Sequence, residues 1–220
     1  MDELIWTLET LFLAGTALLM ARGGQVALGS WVALQGILAN IFALKEISLF
    51  GFCASAGDPL AVGALFSLSL FNARFGRKES LRLCLISLGL LLLFAAASRL
   101  HLLYTPHPSD LYHQAYAALL TPAPRLLLAS IAAFAAGQAI DLLFMGLLGR
   151  ALPLPARIIG ATLLGTALDT AVFSLVGLRG ILPHLAELSI VAYLGKLLGV
   201  ALSIPFSLLA RRWTARGATV

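Results

Sequence analysis

LLLASIAAFAAGQAIDLLFMGLL, residues 126–148, is one apolar run of the length a helix needs to cross a bilayer, and its single charged residue is Asp141. An aspartate near the centre of a membrane helix costs about 2.5–3.5 kcal/mol on insertion scales, so it is rarely placed there without a task. The next apolar run repeats the arrangement. Gly137-Gln138-Ala139-Ile140-Asp141 in the first is matched by Gly165-Thr166-Ala167-Leu168-Asp169 in the second, and Lys196 lies inside the last apolar run. Ionisable groups within neighbouring apolar stretches, beside small Gly and Thr residues, outline a site inside the bilayer. That points to a transporter.

The composition agrees. With 60% hydrophobic and 11% charged residues and a mean hydropathy of +0.96, the chain is not a soluble domain. Seven apolar segments can be drawn: Leu4–Ala21, Val26–Leu44, Leu60–Phe75, Leu81–Ser98, Leu126–Leu148, Ile158–Leu178 and Leu188–Ala210. The third is the weakest, being short and carrying Ser67, Ser69 and Asn72. No central span alternates polar and apolar as a transmembrane barrel strand does. The expected fold is an all-α integral membrane protein, a bundle of about seven transmembrane helices in one domain over residues 1–220.

The basic residues test that count. If all the segments span, one side receives Arg22, Arg74, Arg77, Lys78, Arg82, Arg150, Arg157, Arg211, Arg212 and Arg216. The other receives only Lys45, Arg99, Arg125 and Arg179. By the positive-inside rule the first side is cytoplasmic, so the amino terminus is expected outside and the carboxyl terminus inside. Dropping the weak third segment would move the Arg74–Arg82 cluster away from Arg22. The net charge of +5 is thus explained by topology, and no aromatic-interleaved basic surface suggests nucleic acid. The first segment follows Asp2 and Glu3, not the basic region of a signal peptide, and reads as a retained helix. In the long outer link, Leu111–Leu120 lies between proline pairs and reads as a short interfacial helix or an ordered surface loop.

Residues three and four apart share a helix face. Phe134, Gln138, Asp141 and Met145 form one stripe, with Gly137 beside it; Thr162, Thr166, Asp169 and Phe173 form another, with Gly165 beside it. Lys196 is flanked by Gly195 and Gly199, a pattern that brings helix backbones together, and Asn40 follows Gly36 by four. Hydrogen-bonding groups, small residues and aromatics in this combination suit a pocket for a flat, polar, aromatic ligand. The competing architectural reading pairs Asp169 with Lys196 for neutrality alone, but it leaves the second aspartate without a cation in the membrane. His101, His107 and His113 sit in a proline-broken link that offers no preorganised metal scaffold, and no nucleophile, zinc or phosphate-loop motif is present. Neither an enzyme nor a cofactor is expected. Cys53 and Cys84 read as packing residues.

Several stretches together resemble the queuosine precursor transporter family, the vitamin-uptake-transporter-like group, along nearly the whole chain. They are the opening MDELIW, LANIFALKEISLFG at 38–51 with Asn40, Lys45, Phe50 and Gly51, FGRKES at 75–80, GQAID at 137–141, LLGTALDT at 163–170, and Lys196. The chain departs from the family where Leu68-Ser69, Ala73 and Ala192 replace residues that are usually Thr-Asp or acidic. The resemblance implies six core helices plus an amino-terminal one, and import of 7-deazaguanine bases, the precursors of the tRNA nucleoside queuosine, across a bacterial inner membrane. A guanine-type edge presents two adjacent N–H donors and a carbonyl. Asp141 or Asp169 would accept the donors; Asn40, Gln138 or Lys196 would serve the carbonyl; Phe134 or Phe173 would stack on the ring. Lys45 and Thr166 complete the expected binding set. The expected partners are a nucleobase-like small molecule and the lipid bilayer, with no nucleic acid and no obligatory ATPase, and a homo-oligomer is compatible. The alternative is the substrate-binding subunit of an energy-coupling-factor importer.

Overall fold

The computed structural model describes residues 1–146, 154–199 and 201. Each apolar segment of the sequence carries helix. The first four become α1 (Asp2–Arg22), α2 (Gly24–Phe42), α3 (Asp58–Phe75) and α4 (Arg77–His101). The short α5 (His113–Leu120) precedes α6 (Ala123–Gly146) and α7 (Leu154–Phe173), which runs on into a π-helical turn, Ser174–Leu178. A last helix, α8, covers residues 185–199. Leu148, Arg150, Ala210, Arg211, Arg212 and Arg216 lie outside the described residues, and so do the side chains of Gln138, Asp141, Met145, Arg157 and Thr162.

The bundle has a membrane protein's surface. Among the described residues, α1, α2, α4 and the stretch His113–Gly137 are long and apolar enough to cross a bilayer. Leu4, Leu8, Phe12 and Leu19 on α1, and Leu81, Leu85, Leu92 and Leu93 on α4, are exposed. Such contiguous apolar faces are at home in lipid, where the helix satisfies its own backbone. The protein is an all-α polytopic membrane protein, as the apolar runs predict. None of the residues of α5 is buried.

Small residues set the packing. Ala14, Ala17 and Ala21 on α1 let α2 and α3 approach, and with Leu28, Phe66, Leu70, Phe71 and Leu83 they form one core cluster. The weak hydropathy of α3 has a cause here. Ser67 is fully buried and donates to Gln35 Oε1 of α2 at 3.0 Å, so its polar group faces a helix, not lipid. The α3–α4 joint turns on Gly76, whose φ of 85° disfavours any side chain. Beside it, Arg74 donates to the Ala21 carbonyl at the carboxyl end of α1, where a cation satisfies an open acceptor and suits the helix dipole.

One element was not expected from the sequence. Between α2 and α3 the chain forms an antiparallel hairpin, β1 (Glu46–Leu49) with β2 (Phe52–Ser55). Both turn residues, Phe50 and Gly51, have positive φ, 53° and 83°, which matches the right-handed twist of a tight hairpin. Two carboxylates hold it from either side. Glu3 of α1 accepts the Phe50 N–H at 2.9 Å, and Glu187 of α8 accepts the Cys53 N–H at 2.6 Å. Leu49 and Ala54 pack on Trp6 beneath.

The hairpin leads into α3 through a wedged turn. Gly57 has φ −78°, a conformation any residue adopts, but a Cβ there would meet the Ala39 carbonyl oxygen at 2.7 Å and the Ala43 nitrogen at 2.9 Å. Both neighbours are backbone and cannot swing away. Gly57→Ala should therefore cost about 1–3 kcal/mol by overpacking, read as a lower thermal midpoint in detergent. An unchanged midpoint would show that the α2–α3 joint has slack.

Candidate functional site

The site begins with α8. On that helix Gly195 faces Trp6 of α1, at 3.4 Å from an added Cβ, and an added Cβ at Gly199 would overlap Val62 of α3. The two glycines thus seat α8 tightly against α1 and α3. Lys196, 8% exposed, reaches α7. Its Nζ donates to Asp169 Oδ2 at 2.6 Å and to Thr170 Oγ1 at 3.0 Å. A buried ammonium in contact with a carboxylate is the arrangement that keeps its desolvation cost tolerable.

Asp169 is not used up by this pair. Its side chain is 31% exposed, and it lines a cavity of about 270 Å³ walled by residues of α2, α3, α4, α6, α7 and α8. On the neighbouring helix, a Cβ at Gly137 would sit 3.1 Å from the Gly165 carbonyl oxygen and 3.4 Å from Asp169 Cβ, so α6 and α7 pack closely at the aspartate. The cavity is mostly apolar with few polar groups, the usual character of a small-molecule site, and its volume lies near the lower end of the usual range of roughly 300–1,000 Å³. Phe134 of α6 and Phe173 of α7 are on its wall.

Asn40 lines the same cavity from α2. Its Nδ2 donates to the Gly36 carbonyl at 2.8 Å, and its Oδ1 accepts from Ser130 Oγ of α6 at 3.0 Å. The Gly36–Asn40 spacing noted in the sequence is therefore an intrahelical bond that aims the amide oxygen across to α6.

Of the residues expected from sequence, the structure brings together Asn40, Phe134, Asp169, Phe173 and Lys196 around one space. Lys45 is exposed at the start of the hairpin and does not line the cavity. Thr166 is half-buried one helical turn before Thr170 and is also off the wall. Asp141 stands one turn beyond Gly137 on α6, but its side chain and that of Gln138 are outside the described residues.

Among the lining residues that the sequence pattern does not single out, four bear on the chemistry. Ser130 and Thr170 bond Asn40 and Lys196 as above, and Ser87 of α4 presents a buried Oγ with no hydrogen-bond partner among the described residues. The fourth is Asp58, buried to 8% exposure in the first turn of α3. Its signal was present: Gly57-Asp58-Pro59 has the acid and the proline that open a helix. Reading the third segment from Leu60 left Asp58 in the preceding link, outside the membrane inventory.

A family model described as "Putative vitamin uptake transporter" matches residues 60–210. Among curated proteins, the chain is 27% identical over 202 residues to one of Bacillus subtilis (strain 168) named "Probable queuosine precursor transporter", covering 89% of this chain and 88% of that one. No solved structure matches.

Proposed function

We propose that this chain, which belongs to the vitamin uptake transporter family, imports 7-deazaguanine bases that serve as queuosine precursors. The name of the Bacillus subtilis relative supports the cargo, and the observation that carries the chemistry is the Lys196–Asp169 pair facing a cavity of about 270 Å³. A carboxylate with free lone pairs accepts the two adjacent N–H donors of a guanine-type edge. Beside it, the ammonium and the Asn40 amide are within the same cavity to serve the ring carbonyl, and Phe134 and Phe173 offer faces for the flat ring. Water is replaced by groups already oriented, so little ordering is needed on binding.

The deciding experiment is restoration of queuosine in tRNA. Cells that can neither make nor import the precursor should regain the modified nucleoside when they express this chain and are fed the base. Failure at high external base would remove the cargo assignment. The reading also holds that the chain works alone, without an ATPase and without a catalytic step. Purified protein in liposomes should then move base across the bilayer unaided; a strict need for an added ATPase complex would favour the energy-coupling-factor alternative.

The same reading places the protein in a bacterial inner membrane with the amino terminus outside and the hairpin on the outer side. The ten-to-four division of basic residues between the two sets of links supports it. A carboxyl-terminal reporter should be cytoplasmic, and a cysteine introduced between Pro106 and Pro124 should react with an impermeant thiol reagent in intact cells. Labelling of that link only after permeabilisation would invert the topology.

A further inference from the structure

One ammonium in the cavity faces two carboxylates. Lys196 forms its direct bonds with Asp169 and Thr170, both on α7. Asp58 enters from α3 on another wall of the same space and forms no ion pair with Lys196 among the described residues. The described cavity charges therefore leave one carboxylate over. A buried carboxylate lacking a cation of its own is among the costliest groups to keep inside a membrane protein, and such groups mark substrate or ion pathways.

We infer that Asp58 is a second recognition residue, which pairs with a positive charge on the transported molecule, so that the cavity selects a cationic base over its neutral counterpart. The residue is held for this. Ser55 Oγ donates to the Ala43 carbonyl at 3.1 Å and accepts the Gly57 N–H at 3.1 Å, and Gly57 is wedged against the end of α2. The turn preceding Asp58 thus has two backbone anchors and a close steric stop, and the carboxylate has little room to retreat from the cavity. A separate group in the same cavity also awaits a ligand. Ser87 Oγ on α4 is buried and has no hydrogen-bond partner among the described residues, so a polar occupant of the cavity would satisfy it. Asp169 with Lys196 then reads the ring edge, while Asp58 reads the charge on a substituent. The inference rests on the reading of the cargo as a 7-deazaguanine, and it deepens that reading by naming the favoured kind: one bearing an aminoalkyl group, an ammonium at neutral pH.

The test uses the full chain in liposomes and two bases differing in one substituent, 7-aminomethyl-7-deazaguanine and 7-cyano-7-deazaguanine. The quantity read is the ratio of their affinities. Wild type should prefer the cationic base by roughly thirtyfold or more, the scale of a desolvated charge pair. In Asp58→Asn the ratio should collapse toward one; in Asp58→Glu, which keeps the charge, the preference should persist. A ratio that Asp58→Asn leaves unchanged, or a wild type indifferent to the charge, overturns the role of Asp58 while the cargo assignment stands. Should Asp58→Asn not accumulate, Asp58→Glu decides, and loss of the preference there overturns the inference. A wild type that binds neither base removes the cargo assignment, and the role of Asp58 with it.

Discussion

Lys196→Ala alone should damage the protein more than Lys196→Ala combined with Asp169→Asn. The ammonium of Lys196 is buried, 2.6 Å from Asp169 Oδ2, and shares its cavity with the Asp58 carboxylate. Removing it leaves two carboxylates in the cavity with no positive group among the described residues. Breaking a buried pair from one side costs about 3–5 kcal/mol, a large part of the stability of most domains. The double variant removes one of the stranded charges with little change in shape. It should recover part of the loss. Yield of monodisperse protein in detergent and the thermal midpoint measure the effect. A double variant no better than the single one would show that the contact carries no coupling.

The reverse substitution should separate folding from transport. In Asp169→Asn, Lys196 keeps its bond to Thr170 Oγ1 at 3.0 Å and still has the Asp58 carboxylate in the same cavity. The cation is not stranded, so the variant should reach the membrane. Uptake, however, should fail. Asn is nearly isosteric with Asp but exchanges an acceptor oxygen for an NH₂ donor, and it cannot accept two N–H groups together. Loss of a charge-assisted contact, with donor set against donor, costs about 2–4 kcal/mol, or roughly thirty- to a thousandfold in affinity. Guanine should compete weakly with the labelled base for the wild-type protein, and adenine, which lacks the paired donors, not at all. Wild-type affinity of Asp169→Asn for the labelled base would return Asp169 to an architectural role.

The helices and the central ion pair could be read from the sequence because membrane physics makes both conspicuous. An apolar run of helical length has few alternatives in lipid, and charges set into such runs must find one another. That logic names Asp169 and Lys196 before any coordinates. It fails where the governing signal is short. Strands of four residues, Glu46–Leu49 and Phe52–Ser55, offer too little alternation to register, and Phe50-Gly51 lacks the Asn-Gly or Asp-Gly signature of a tight turn. Missing the hairpin had two consequences. Lys45 is close to Asn40 in sequence, but α2 ends at Phe42 and the helical period stops there, so Lys45 emerges at the surface. Asp58 precedes an apolar run, yet β2 ends at Ser55 and α3 begins at Asp58, already buried, which turns an apparent link residue into a cavity residue.

The two clamps on the hairpin grip main chain, not side chain. Glu3 and Glu187 each hold an N–H, of Phe50 and of Cys53, and every amino acid except proline supplies that group equally. These two bonds are thus blind to the side chains of the residues they hold. The side chains of Phe50 and Phe52, both exposed, are free to drift without loosening these bonds, whose acceptors are stored far from the hairpin and from each other in sequence, in α1 and α8.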